Sequence, residues 1–143
     1  MNRAQGFTLI ELIVTISVIV ILTTIVTPSM VKLIRKQQLA SDARAIVESL
    51  IGYRSEAILL RKNYQVSFNG QSIHHLAQLG KHTEWDSIPI QTITFNMFGA
   101  LVESSQCFVI QHKSDTSYKA VIVVNKNGAI DYDRSRSSCP EFS

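Results

Sequence analysis

Charge is scarce in this sequence, and one long stretch has none. Only 17% of the 143 residues are Asp, Glu, Lys or Arg while 45% are hydrophobic. A chain this apolar is not disordered, and it is poorly charged for an ordinary soluble globule. The signatures of catalysis and of phosphate or metal binding are missing too: no G-x-S-x-G, P-loop, H-E-x-x-H or C-x-x-C occurs. No enzyme is expected, and no cofactor or metal ion is implied. His74 and His75 are adjacent, and adjacent side chains on a strand point to opposite faces, which argues against a shared ion. There is no internal repeat and no low-complexity tract. The length allows about one domain. A net charge of +3 is too mild to indicate nucleic acid or an anionic surface by itself.

What the chain does have is a membrane-length segment. From Leu12 to Val31 it runs 20 residues without a charge. At about 1.5 Å per helical residue, such a run spans about the 30 Å of a bilayer core. Arg3 is the only charge ahead of Glu11. The positive-inside rule therefore keeps the amino terminus cytoplasmic and sends the rest outward. The run is too long for a cleaved secretory signal, and no small-residue cleavage site follows it. A plain signal-anchor remains one reading, but Glu11 is anomalous in it. A carboxylate opening directly into a hydrophobic run costs about 2 kcal/mol or more unless paired, so it marks a function and calls for a cationic partner. Pro28 lacks a backbone donor and is expected to bend or locally open the helix, with hydroxyls such as Thr24 able to compensate.

Past Pro28 the helix continues. Leu39, Ala43, Ile46, Val47, Leu50, Tyr53, Ala57 and Leu60 recur at steps of three or four and form one apolar stripe. Lys32, Arg35 and Lys36 open the polar side, and the charges of this half together read as a solvated face. Those three are also placed to meet lipid headgroups before assembly. Beyond Asn63 the period becomes two. Tyr64 to Phe68, the Asn69-Gly70 turn and Gln71 to Ile73 read as a first hairpin. Ile88 to Phe95, Cys107 to His112 and Tyr118 to Val124 read as further strands, and Asn127-Gly128 turns the last into Ala129 to Asp133. Residues 77–87 and 99–106 read as loops, and Ser114, Asp115 and Ser117 as a turn. The fold class is α+β: one long N-terminal helix, its first half membrane-spanning, packed on a small antiparallel sheet. Cys107 and Cys139 are the only cysteines, in a domain placed outside the cytoplasm, so they are expected to pair and to pin the tail to a core strand.

Gly6-Phe7-Thr8-Leu9-Ile10-Glu11, followed by a long apolar helix with Pro28, resembles the class III signal of type IV pilins and type II secretion pseudopilins. The resemblance implies a pilin-like fold and three parts: a leader at 1–6, a membrane and filament-core helix at 7–31, and a periplasmic globular domain at 32–143. It implies that prepilin peptidase cuts between Gly6 and Phe7 and methylates the new amine of Phe7. Glu11 would then meet the amine of a neighbouring subunit. The zone at Pro28 would extend within a filament. The partners implied are other pilins or pseudopilins, the peptidase and the inner membrane, held by a single pass before incorporation into a pilus or pseudopilus. A monomeric anchored domain, never processed, is the competing reading.

Tyr53-Arg54-Ser55-Glu56-Ala57-Ile58 resembles the RSEA signature of the GspH/FimT family of minor pilins and pseudopilins. Ile93 to Gly99 resembles that family's strand and glycine turn, and Val121 to Gly128 its final hairpin. Members of the family act near a filament tip and help to initiate assembly. Some capture double-stranded DNA in natural transformation through a basic G-R-x-R segment. Here that place reads Gly128-Ala129-Ile130-Asp131, without the arginines. Lys126, Arg134 and Arg136 are the candidate DNA contacts, but Asp131, Asp133 and Glu141 balance them. Counterion release needs unopposed cations, so a solvated tail competes with this reading.

Overall fold

The computed structural model describes residues 7–68, 79–87 and 92–142, without the side chains of 25–28. The chain forms two compact units, Met1–Ile34 and Arg35–Ser143. The helix α1, Leu9–Leu59, contributes to both. In the first unit every described side chain from Phe7 to Thr24 is exposed, including Leu, Ile and Val residues throughout. Such a surface is tolerated in lipid or against other helices, not in water. The hydroxyls in this run are hidden within the helix. Thr15, Ser17, Thr23 and Thr24 donate to the carbonyls of Leu12, Ile13, Val20 and Ile21 at 2.8, 2.7, 2.9 and 2.7 Å. These four hydroxyl hydrogens are taken up by the helix's own carbonyls.

In the second unit the apolar stripe becomes a core face. Leu39, Ala43, Ile46, Leu50 and Ala57 are buried, with Val47 and Tyr53 packed at the margin. Leu60 is the exception, at 56% exposed. The helix has ended by then. Lys62 N–H donates to the Ala57 carbonyl at 3.2 Å and Arg61 N–H to Ile58 at 3.3 Å, while Arg61 takes a φ of 48°. These are the two hydrogen bonds of a Schellman stop, which turns the chain away from the stripe.

Six strands follow. β1 (Tyr64–Ser67) pairs antiparallel with β3 (Thr92–Phe95), Tyr64 opposite Phe95. A second antiparallel sheet has the order β2 (Thr83–Ser87), β4 (Gln106–His112), β5 (Asp115–Val124), β6 (Ile130–Asp133). The expected partner of β1 in a first hairpin, residues 69–73, lies outside the described residues, as do His74, His75 and 88–91. Two expectations are corrected. Residues 83–87 are a strand, not a loop, and β5 begins at Asp115, which was read as part of a turn.

Tertiary contacts explain β2, whose residue types are poor strand formers outside Thr and Trp. Thr83 donates to the Asp42 carboxylate at 2.8 Å, Glu84 accepts from Gln111 at 2.8 Å, and Asp86 pairs with Lys119 at 2.8 Å. Trp85 meets Phe68 edge-on at 5.5 Å, and Phe68 lies 4.3 Å from Phe108. The helix face read as solvated also engages this sheet. Arg35 bonds Asp115 at 3.2 Å, and Gln38 bonds Nε2 of the buried His112 at 3.0 Å. The Ser114 N–H donates to His112 Nδ1, so Nε2 carries the proton toward Gln38. Burial, then the nearby Arg35, push this imidazole below its usual range and keep it neutral.

Candidate functional site

Three constellations carry what the sequence singled out. The first opens the helix. Thr8 precedes α1, and its Oγ1 accepts from the Glu11 N–H at 3.3 Å, while its carbonyl accepts from Leu12 N–H at 3.2 Å. Thr8 is therefore the N-cap and Glu11 the third helical residue, where a carboxylate meets the positive end of the helix dipole. The T-x-x-E spacing of a capping box was visible in Thr8 to Glu11, and the motif reading passed over it. A cap of this kind is worth about 1 kcal/mol. Phe7 and Glu11 are exposed. Gly6 lies outside the described residues. α1 is continuous through position 28, so the expected local opening at Pro28 is not seen. The Thr24 hydroxyl is engaged with Ile21.

The second constellation joins three motifs that are far apart in sequence. Arg54 Nε donates to the Gly99 carbonyl at 2.9 Å. Gly99 and Gly128 have φ of 77° and 82°, the left-handed region that glycine alone enters cheaply. Each closes a turn: Gly99 N–H donates to Asn96 and Gly128 N–H to Asn125, both at 2.8 Å. The turns touch, since a Cβ on Gly128 would lie 1.7 Å from the Gly99 oxygen and 2.8 Å from Arg54 Nε. Helix end, strand turn and final hairpin thus meet around one guanidinium. Sequence reading located the motifs but not their convergence, which is a long-range contact.

The third holds the tail. Cys107 and Cys139 are joined, with Cα atoms 5.8 Å apart. Cys107 belongs to a small buried cluster with Val109 and Val121, apart from the main core cluster that takes the alternate residues Phe108, Ile110 and Ile122. The bond brings the irregular tail to that second face of the sheet. Closing a loop with a sequence separation of 32 stabilises by about 3–4 kcal/mol in the chain-entropy model. A Cys107→Ala/Cys139→Ala chain is expected to lose most of that. Urea unfolding followed by the fluorescence of Trp85, the single tryptophan, measures it.

The candidate DNA contacts do not form one patch. Lys126 lies in the turn before β6 and its Nζ donates to the Val102 carbonyl at 3.2 Å. Arg134 and Arg136 follow the opposite end of β6, beyond four residues, or about 13 Å, of extended chain. Arg136 pairs with Asp133 at 3.2 Å. Two hydrogen bonds from Ser135, then Arg136, hold the Asp133 carboxyl below its usual range, so this acid stays charged beside the arginine.

Residues 1–27 match the family model described as the prokaryotic N-terminal methylation motif. The whole chain is similar to the type IV wide pilus major component PilA4 of Thermus thermophilus, 28% identical over 144 residues, covering 98% of this chain and 100% of that protein. Its fold matches the type IV minor pilin FimU of Pseudomonas aeruginosa in two crystal forms. The TM-scores are 0.54 and 0.56, with 20% and 19% identity, covering 70% and 71% of this chain and 97% and 93% of FimU.

The chain is thus similar to type IV pilins in its N-terminal motif, its sequence and its fold. It has the α+β pilin fold, a long N-terminal helix packed on antiparallel sheets. A pilin-like chain is a structural subunit and not an enzyme. Its helix α1 is long and apolar enough to cross a membrane by length and composition.

Proposed function

We propose that the chain is a minor pilin that is processed between Gly6 and Phe7, methylated on the Phe7 amine, and assembled near a filament tip, where it helps initiate the fibre. The observation that carries this is Glu11, the only charge between Phe7 and Val31, capped into the first turn of a helix whose side chains from Leu9 to Thr24 are all exposed. A carboxylate so placed needs a cation, and cleavage after Gly6 would create one: a free α-amine four residues away in sequence and available on each neighbouring copy. Residues 1–6 are the leader, 7–31 the membrane and filament-core helix, and 32–143 the globular domain on the periplasmic side of the inner membrane. The minor-pilin assignment is supported by the fold match to FimU and by the convergence of the RSEA arginine on two glycine turns.

A type IV pilus and a type II secretion pseudopilus use the same signal, and the pilus is favoured because both relatives named above are pilus components. DNA capture loses support, since Lys126 is separated from Arg134 and Arg136. Mass spectrometry of the chain purified from cells is expected to find an N-methylated Phe7 as the first residue. An intact Met1 in the membrane fraction overturns the reading in favour of a plain anchor.

A further inference from the structure

A cavity of about 410 Å³ opens where the helix meets the end of β6, within the range of about 300–1,000 Å³ typical of small-ligand sites. Its walls include four cations, Lys36, Lys119, Arg134 and Arg136, with the rings of Tyr118 and Tyr132. No carboxylate is among the described residues that line it. The acids that accompany these cations hold them from outside the lining: Asp86 bonds Lys119 at 2.8 Å and Asp133 bonds Arg136 at 3.2 Å. The Lys36 ammonium stands 5.8 Å from the centre of the Tyr118 ring. Three of the four heads are therefore positioned. Arg134 has no ion pair among the described residues, and the buried Tyr132 hydroxyl has no hydrogen-bond partner among them. Burial raises the pKa of that phenol, so it remains an O–H donor.

We propose that this cavity binds the phosphate of an anionic phospholipid headgroup. A phosphate diester offers the planar oxygen pair that an arginine fork grips at two points, and acceptors for the lysines. The tyrosine rings suit the C–H edges of the esterified glycerol attached to it. The choice of a lipid over a soluble anion follows from the chain. Lys36 comes five residues after Val31, the end of the uncharged run, so even a fully extended link keeps it within about 18 Å of that end. While the run lies in a bilayer, the cavity wall is tethered at headgroup level. The inference rests on the membrane-held stage of the function proposed above. It adds that the globular domain, and not the helix alone, is lipid-bound before assembly, so entry into a fibre exchanges a headgroup for a neighbouring subunit.

The test is native mass spectrometry of the full chain released from nanodiscs of phosphatidylcholine with a minority of phosphatidylglycerol. Retention of phosphatidylglycerol over its share in the disc, on the order of tenfold, is expected. Arg134→Gln/Arg136→Gln should bring retention down to the disc ratio. Lys62→Gln, which changes an exposed basic residue just past the far end of α1 and outside the cavity, should leave it unchanged. Equal retention of the two lipids overturns the proposal, as does an equal loss in the Lys62→Gln chain, which would mean diffuse surface charge. Displacement of the lipid by millimolar inorganic phosphate or by duplex DNA overturns the lipid assignment in favour of a soluble anion or nucleic acid. Co-purification of chain and disc is scored separately. A chain that does not enter the disc refutes the membrane stage, and the headgroup assignment falls with it.

Discussion

Glu11→Ala is expected to enter the membrane normally and to fail to enter fibres. Alanine removes the only charge of the run from Phe7 to Val31, so insertion becomes easier rather than harder. In the fibre the same change leaves a neighbour's α-amine buried without its carboxylate. Breaking a buried ion pair by deleting one partner costs about 3–5 kcal/mol, because the remaining charge has lost both water and its mate. At about 1.4 kcal/mol per tenfold, incorporation should fall by about two to three and a half orders of magnitude. The helix itself loses little, since the Thr8 cap uses the backbone N–H of residue 11, which alanine retains. Quantitative immunoblotting of sheared fibres against the membrane pool gives the ratio. Undiminished incorporation would show that subunit register does not depend on this carboxylate.

Gly128→Ala should be the most damaging single-methyl change in the globular part. The added Cβ would sit 1.7 Å from the Gly99 carbonyl oxygen, a backbone atom that moves only with its turn, and the residue would keep a φ of 82°. Left-handed backbone costs an L side chain about 1–2 kcal/mol, and forced overpacking adds about 1–3 kcal/mol. Displacing the 96–99 turn also breaks the Arg54 to Gly99 hydrogen bond. A loss of about 3–4 kcal/mol is expected in urea unfolding monitored at Trp85. Gly52→Ala provides the contrast. That glycine is exposed in α1 with nothing within 4 Å of the added carbon, so alanine there should stabilise by about 0.5–1 kcal/mol. Equal effects at the two positions would remove the turn-on-turn contact from the account of the fold.

Much of this molecule was legible from residue order because its strongest signals are local. The uncharged run, the three-and-four spacing from Leu39 to Ala57, and the alternation in β4 and β5 each need only neighbours in sequence to be read. A disulfide between two cysteines has a single partner choice. What escaped depends on contacts made across the fold. β2 is a strand because Asp42, Gln111 and Lys119 take up its polar side chains, and none of those is within 20 residues of it in sequence. Leu60 lies in step with the stripe yet is exposed, because Arg61 adopts a backbone conformation its side-chain type does not advertise. Lys126, Arg134 and Arg136 stand close in the sequence, but β6 holds the first away from the others. Conversely, Lys36, Lys119 and Arg134 are distant in sequence and line one cavity.

The bond between Cys107 and Cys139 closes β5, β6 and most of β4 into a covalent ring. Lys126 and Asn127, exposed in a hairpin turn of that ring, are the kind of position at which proteases nick a folded chain. A single cut there opens the ring without releasing a fragment, because the strands on either side remain tied through sulfur. The nicked chain thus stays in one piece until a reductant frees the severed segment.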